Sequence, residues 1–140
     1  MNTENILKLA DFLDSLPNSD STFTFNLGIW WDKPNSDSEC GTVGCIAGAV
    51  QALRFDAAST PTNSDVINRA QRWLGLSVHE ANELFTPDSE RLDYEGYDYS
   101  DITPHIAAHV LRDSVLHNDI NWQRALKSYN KALAKGNVAS

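Results

Sequence analysis

The sequence has no apolar run long enough to cross a bilayer. Its first residues, Met1 to Leu16, carry acids and lack the basic start of a secretion signal, so no signal peptide is expected. It has only two cysteines, Cys40 and Cys45, and in a chain read as cytoplasmic these are expected to be thiols rather than a structural bridge. No phosphate-cradling G-x-x-x-x-G-K or G-x-G-x-x-G run occurs, and nothing in the sequence calls for a cofactor. Basic residues are scarce as well, with 11 Lys and Arg against 19 Asp and Glu, a net charge of −8. Residues 1–111 hold six of the bases and 17 of the acids, giving −11, whereas residues 112–140 carry +3. Such an acidic body repels a nucleic-acid backbone, so direct nucleic-acid binding is not expected. The complementary partner is a protein with a basic surface, and no membrane partner is expected.

What is present suits one folded domain over residues 1–140, with 41% hydrophobic and 21% charged residues. Its apolar residues recur mostly at helical spacing. Thr3 to Leu16 places Ile6, Leu9, Ala10, Leu13 and Leu16 on one face, with Thr3 as the cap and Pro17 after the end. Thr22 to Trp31 alternates instead, Phe23, Phe25, Leu27 and Ile29 against Thr22, Thr24 and Asn26, which predicts an extended segment. A helix with its cap at Thr42 is expected to run to about Phe55, with Val43, Ile46, Ala47, Val50 and Leu53 on its apolar face. Gly44, Gly48 and Ala52 form a second stripe poor in side chains, so this helix is expected to be buried nearly all round.

Further on, Thr62 or Ser64 opens a helix carrying Val66, Ile67, Ala70, Trp73 and Leu74, stopped by Gly75. Ser77 and Glu80 form a capping box before Ala81, Leu84 and Phe85. Thr103 and Pro104 open a helix with Ile106, Ala107, Val110, Leu111 and Val115 inward. The last helix starts near Asp119 or Asn121 and ends at Gly136. The expected fold class is all-α, a compact single-domain bundle of about six helices with one extended segment in the N-terminal half.

The run Cys40-Gly41-Thr42-Val43-Gly44-Cys45-Ile46-Ala47-Gly48 resembles the C-G-T-x-x-C-x-A-G segment of an uncharacterised family of small bacterial and phage proteins. In that family a Leu-Gly-Leu, a Leu-Phe and a helix opening with Thr-Pro follow, matched here by Leu74-Gly75-Leu76, Leu84-Phe85 and Thr103-Pro104. The resemblance spans roughly Leu9 to Leu116 and departs at Ala49, where the family often has Trp. It implies a compact, mainly helical domain of phage or mobile-element ancestry and supplies no catalytic residues.

Three chemistries compete for the function. Cys40, just before the expected central helix, is the candidate nucleophile of a cysteine-dependent enzyme, with His79, His105, His109 and His117 as possible bases. The plainer reading, a core Cys45 and a loop-packing Cys40, is favoured. His105, His109 and Asp113 recur every four residues and are the candidate ligands of a metal-stabilised domain; a solvated helix face is favoured there. The segment Asp88 to Asp101 interleaves acids with tyrosines and is expected to be an exposed loop. Its residues Asp93, Tyr94, Glu95, Tyr97, Asp98, Tyr99 and Asp101 are the candidate partner-binding set, since tyrosines offer contact area and acids complement a basic surface. The preferred function is a small acidic protein-interaction module of phage or mobile-element type; inhibition of a basic, nucleic-acid-handling host protein, for example a defence-system component, is the action such a module could have.

Overall fold

A computed structural model describes residues 1–16, 24–25, 27, 31–32, 43–54 and 63–136. Expectations that rest on Thr42, on Trp30, on the loop from Asp32 to Glu39 or on Cys40 itself fall partly or wholly outside them. Within the described residues the fold is an all-α domain. Helix α1 spans Thr3–Ser15, α2 Ile46–Arg54, α3 Asn63–Leu74, α4 Val78–Phe85, α5 Ser89–Tyr94, α6 Pro104–His117 and α7 Trp122–Ala134. α1 lies along α6, α2 against α3, and α7 against both α6 and α5.

The helical periodicity of the sequence is realised in the core. Ile6, Leu9, Ala10 and Leu13 of α1, Val66, Ala70 and Leu74 of α3, Ile106, Ala107, Val110 and Leu111 of α6, and Trp122, Ala125, Leu126 and Tyr129 of α7 are all buried. They form one apolar cluster with Ala81, Leu84 and Phe85 of α4. Burying each large apolar side chain contributes roughly 1.5–3 kcal/mol.

The extended segment finds its partner where the sequence predicts helix. Strands β1 (Thr24–Phe25), β2 (Trp31–Asp32) and β3 (Val43–Gly44) make a three-stranded sheet in the order β1-β3-β2. β1 runs parallel to β3 and β2 antiparallel to it. Val43 and Gly44 are therefore spent on strand pairing, and the central helix begins only at Ile46. The amide of Ala49 donates to the Cys45 carbonyl at 2.8 Å, which places Cys45 at the helix entry.

α2 is buried without a break from Ile46 to Gln51, including Gly48, in keeping with its small residues. Leu53, expected on its apolar face, is instead exposed at 36%, while Gln51 takes an interior place. The exchange is chemically satisfied, because Arg69 Nη1 of α3 donates to Gln51 Oε1 at 3.1 Å.

Three of the expected caps are found, and Ser64, the alternative to Thr62, lies inside α3 rather than before it. Ser77 and Glu80 close a reciprocal capping box, Thr103 caps α6 with Pro104 in its first turn, and Asn121 caps α7. The cap of α1 is Asn2 rather than Thr3; its side chain accepts from the Asn5 amide at 3.1 Å, and Thr3 becomes the first helical residue. α3 ends in a Schellman motif, with Leu76 N–H donating to the Gln71 carbonyl and Gly75 N–H to the Arg72 carbonyl. No helix among the described residues is long and apolar enough to cross a membrane.

Candidate interaction surface

The acidic segment from Asp88 to Asp101 is not the irregular loop expected from its composition. Asp88 caps α5 through the Glu90 amide at 2.9 Å, and Asp98 caps a 3-10 turn at Tyr99–Asp101. In that turn Asp98 accepts from the amides of Ser100 and Asp101, and Asp101 Oδ2 accepts from the Asp98 amide. The helix between them ends in a second Schellman motif, Tyr97 N–H to the Leu92 carbonyl and Gly96 N–H to the Asp93 carbonyl. Asp, Ser and Gly favour loops because they cap and turn, and here they cap and turn two short helical pieces.

The segment is anchored from behind. Leu92 and Ile102 are buried in the core. Tyr97 donates its hydroxyl to Asn130 Oδ1 of α7 at 2.5 Å, and Asn130 Nδ2 donates to the Glu95 carbonyl at 3.2 Å. Tyr99 donates its hydroxyl to the carbonyl of Pro87. Burial, followed by the charges of nearby groups that include Asp101 and Glu95, raises the Tyr97 pKa; burial and then Asp88 do the same for Tyr99. Both phenols therefore stay protonated donors at neutral pH.

The opposite side of the segment faces water. Asp93, Asp98 and Asp101 are exposed and Glu95 is half-exposed, and Tyr94 is 79% exposed. The Ser100 hydroxyl, then the backbone amides it caps, hold the Asp98 carboxyl below the usual range. From Glu80 to Asp101 the chain carries eight acids against Arg91 alone, which pairs with Glu83 at 3.2 Å. The tyrosines thus divide, Tyr97 and Tyr99 as anchors and Tyr94 as the exposed ring, a division the alternating sequence does not reveal.

The other candidate chemistries are placed differently. Cys40 lies outside the described residues. Cys45 is 1% exposed, and burial pushes its thiol up to about 11, although backbone amides at the start of α2 pull the other way. Burial disfavours the thiolate, the form that acts as a nucleophile, so Cys45 is a core residue rather than a reactive one.

His105 and His109 do not lie on a solvated face. His105 Nδ1 sits 2.9 Å from Asp14 Oδ1 of α1, while His109 packs edge-on against Tyr129 of α7 at 5.4 Å between ring centres. Asp113, the third member of the stripe, is buried and receives two hydrogen bonds from Arg124, Nε at 3.0 Å and Nη2 at 2.8 Å. α6 has neighbours on both sides, so its polar stripe is shared between α1 and α7. Among the described residues no three His, Cys, Asp or Glu side chains come together to hold a metal ion.

No protein-family model, curated protein or solved structure matches this chain.

Proposed function

We propose that the chain is a small acidic protein-interaction module of phage or mobile-element type. Its segment from Asp88 to Asp101 docks on the basic surface of a nucleic-acid-handling protein and inhibits it by occupying the groove that nucleic acid would use. One observation carries this reading: the segment is fixed to the body through Leu92, Tyr97 and Tyr99, which leaves Tyr94 and its acids facing outward on ordered backbone. A pre-ordered acidic surface binds without the entropic penalty of ordering a loop, and its charges raise the encounter rate with a basic partner. The exposed Tyr94 ring suits a partner Arg or Lys through a cation–π contact. Among the acids, Asp93, Asp98 and Asp101 supply the field, while Glu95 and Tyr94 share a groove with Arg124 and Lys127 of α7, so the docking face is the part of the segment turned away from α7.

The test is affinity capture of a partner with the unmodified chain and with the triple variant Asp93→Asn, Glu95→Gln, Asp98→Asn. Asn at position 98 keeps the cap, so the fold is retained. The triple variant and Tyr94→Ala are expected to lose the partner, and nucleic acid is expected to compete with the unmodified chain for it. Capture that is unchanged in both variants sinks the proposal.

A further inference from the structure

A groove of about 720 Å³ opens where α1 meets the ends of α2 and α3, away from the acidic segment. Its volume falls within the range of small-molecule sites, about 300–1,000 Å³. The lining is of two kinds. Phe12 and Trp73, both half-buried, and the exposed Leu53 provide apolar surface. Lys8 and Arg54 provide two cations.

In a chain of net charge −8 this pairing of cations is a local reversal of sign. Arg54 makes no ion pair among the described residues, and Lys8 meets only Glu4, across an exposed pair at 3.2 Å. Exposed pairs of that kind are weakly held, so Lys8 is available to a ligand. Asp11, the one acid lining the groove among the described residues, is already engaged by Arg112 Nη2 at 2.9 Å. The floor is fixed, because Asn5 Nδ2 donates to the Trp73 carbonyl at 2.7 Å and ties α1 to the end of α3.

We propose that this groove binds a small apolar anion, a flat hydrocarbon body carrying a single carboxylate. The body lies against Trp73 and Phe12, where ring-on-ring packing adds to simple burial, and the carboxylate meets Lys8 Nζ and the Arg54 guanidinium. The site is independent of the acidic segment, so it stands or falls separately from the interaction described above.

The test is calorimetric titration of the full chain with 2-naphthoate, with its uncharged analogue 2-naphthalenemethanol and with octanoate. Naphthoate is expected to bind with a dissociation constant below about 1 mM, and the alcohol about tenfold more weakly. The variant Lys8→Gln, Arg54→Gln, altered only at exposed positions, is expected to bind acid and alcohol alike. Amide shifts of the unmodified chain should move at α1, the end of α2 and the end of α3. Three results overturn the proposal: no saturable naphthoate binding, a preference for the acid that survives in the double variant, or shifts confined to another part of the molecule. Octanoate binding as tightly as naphthoate overturns the flat-body assignment.

Discussion

The side chain of Asn5 donates to the backbone carbonyl of Trp73 at 2.7 Å, and the Asn2 amide donates to the neighbouring Leu74 carbonyl at 2.8 Å. The first turn of α1 thereby satisfies carbonyls that the last turn of α3 leaves without a helical partner. The join requires the chain to turn sharply at Gly75, whose φ is +66°. A Cβ there would lie 2.9 Å from the Asn2 nitrogen, which is backbone and cannot swing aside.

Gly75→Ala is therefore expected to destabilise the fold by more than the roughly 1–2 kcal/mol of a left-handed alanine. Gly96 is the control. Its φ is +90°, yet nothing lies within 4 Å of a Cβ placed there, so Gly96→Ala is expected to show the conformational cost alone. Urea unfolding of the two variants checks the difference. Equal losses would mean that the α1–α3 join gives way freely.

Arg124 is expected to be the most sensitive charged residue of the fold. Asp113 is 6% exposed at its side chain, and Arg124 meets it through two nitrogens while also reaching Asp119 at 2.7 Å. Removing the guanidinium leaves a buried carboxylate whose remaining close contact with a basic side chain, among the described residues, is His117 Nδ1 at 3.3 Å. Breaking a fully buried pair costs about 3–5 kcal/mol. Arg124 is itself 29% exposed, so Arg124→Leu is expected to lose about 2–3 kcal/mol after that discount. Arg124→Lys should recover only part, since an ammonium cannot reproduce the fork. Thermal melting at neutral pH of both variants decides it, and a Leu variant as stable as the parent would contradict the role.

Asp113 also shows where the sequence is legible and where it is not. Period 3.6 identifies the centre of each buried face of α1, α3, α6 and α7, but Leu16, Ile67, Trp73 and Val115, expected inward, are only half-buried, and α6, packed on both sides, also buries Ala108 and Ser114 off its expected stripe. The caps at Ser77, Thr103 and Asn121 are local chemistry and readable. Periodicity does not report which polar residues on the flanks meet another element. Hence His105 and Asp113 look like neighbours in one metal stripe, while one pairs with α1 and the other with α7. Val43 and Gly44 fit a helix by local pattern and are drawn into a strand by pairing with distant residues. In the acidic segment composition suggests a loop, and the contacts from Tyr97 to Asn130 and from Tyr99 to Pro87, which join the buried Leu92 in holding it, are not readable from that composition.

The Cys45 thiol, pushed up to about 11 by burial, is expected to resist a thiol reagent at pH 7 until the protein opens. Mass-resolved labelling should show slow modification of Cys45 in buffer and rapid modification in denaturant. Cys45→Ala is expected to cost more than Cys45→Ser, because Cys45 sits at the entry of α2, where a hydroxyl can accept from the backbone amides of Ala47 and Gly48 that now face the sulfur and a methyl cannot. Fast labelling in buffer would show that the start of α2 opens readily.

His109 gives the fold a weakness towards mild acid. Burial, the largest influence, lowers its pKa below 6.5. Asp113 opposes that shift, and Arg112 reinforces it. The backbone of Ala125 in α7 also opposes the shift, and Tyr129 meets the ring edge-on from the same helix. The folded state therefore takes up a proton less readily than the unfolded chain, whose histidine titrates near 6.5. Where the unfolded state binds more protons, stability rises with pH. The His109 contribution is thus complete above about pH 6.5 and is lost progressively as pH falls below that value. The carboxyls of Asp98 and Asp119, held below 3.8, lose their contribution only in a lower window, as pH falls through the ordinary carboxylate range. His109→Phe should flatten the dependence between about pH 7 and pH 5 while leaving the lower window intact. Urea midpoints measured across that range for parent and variant are the check, and parallel curves would mean that His109 is protonated as easily folded as unfolded.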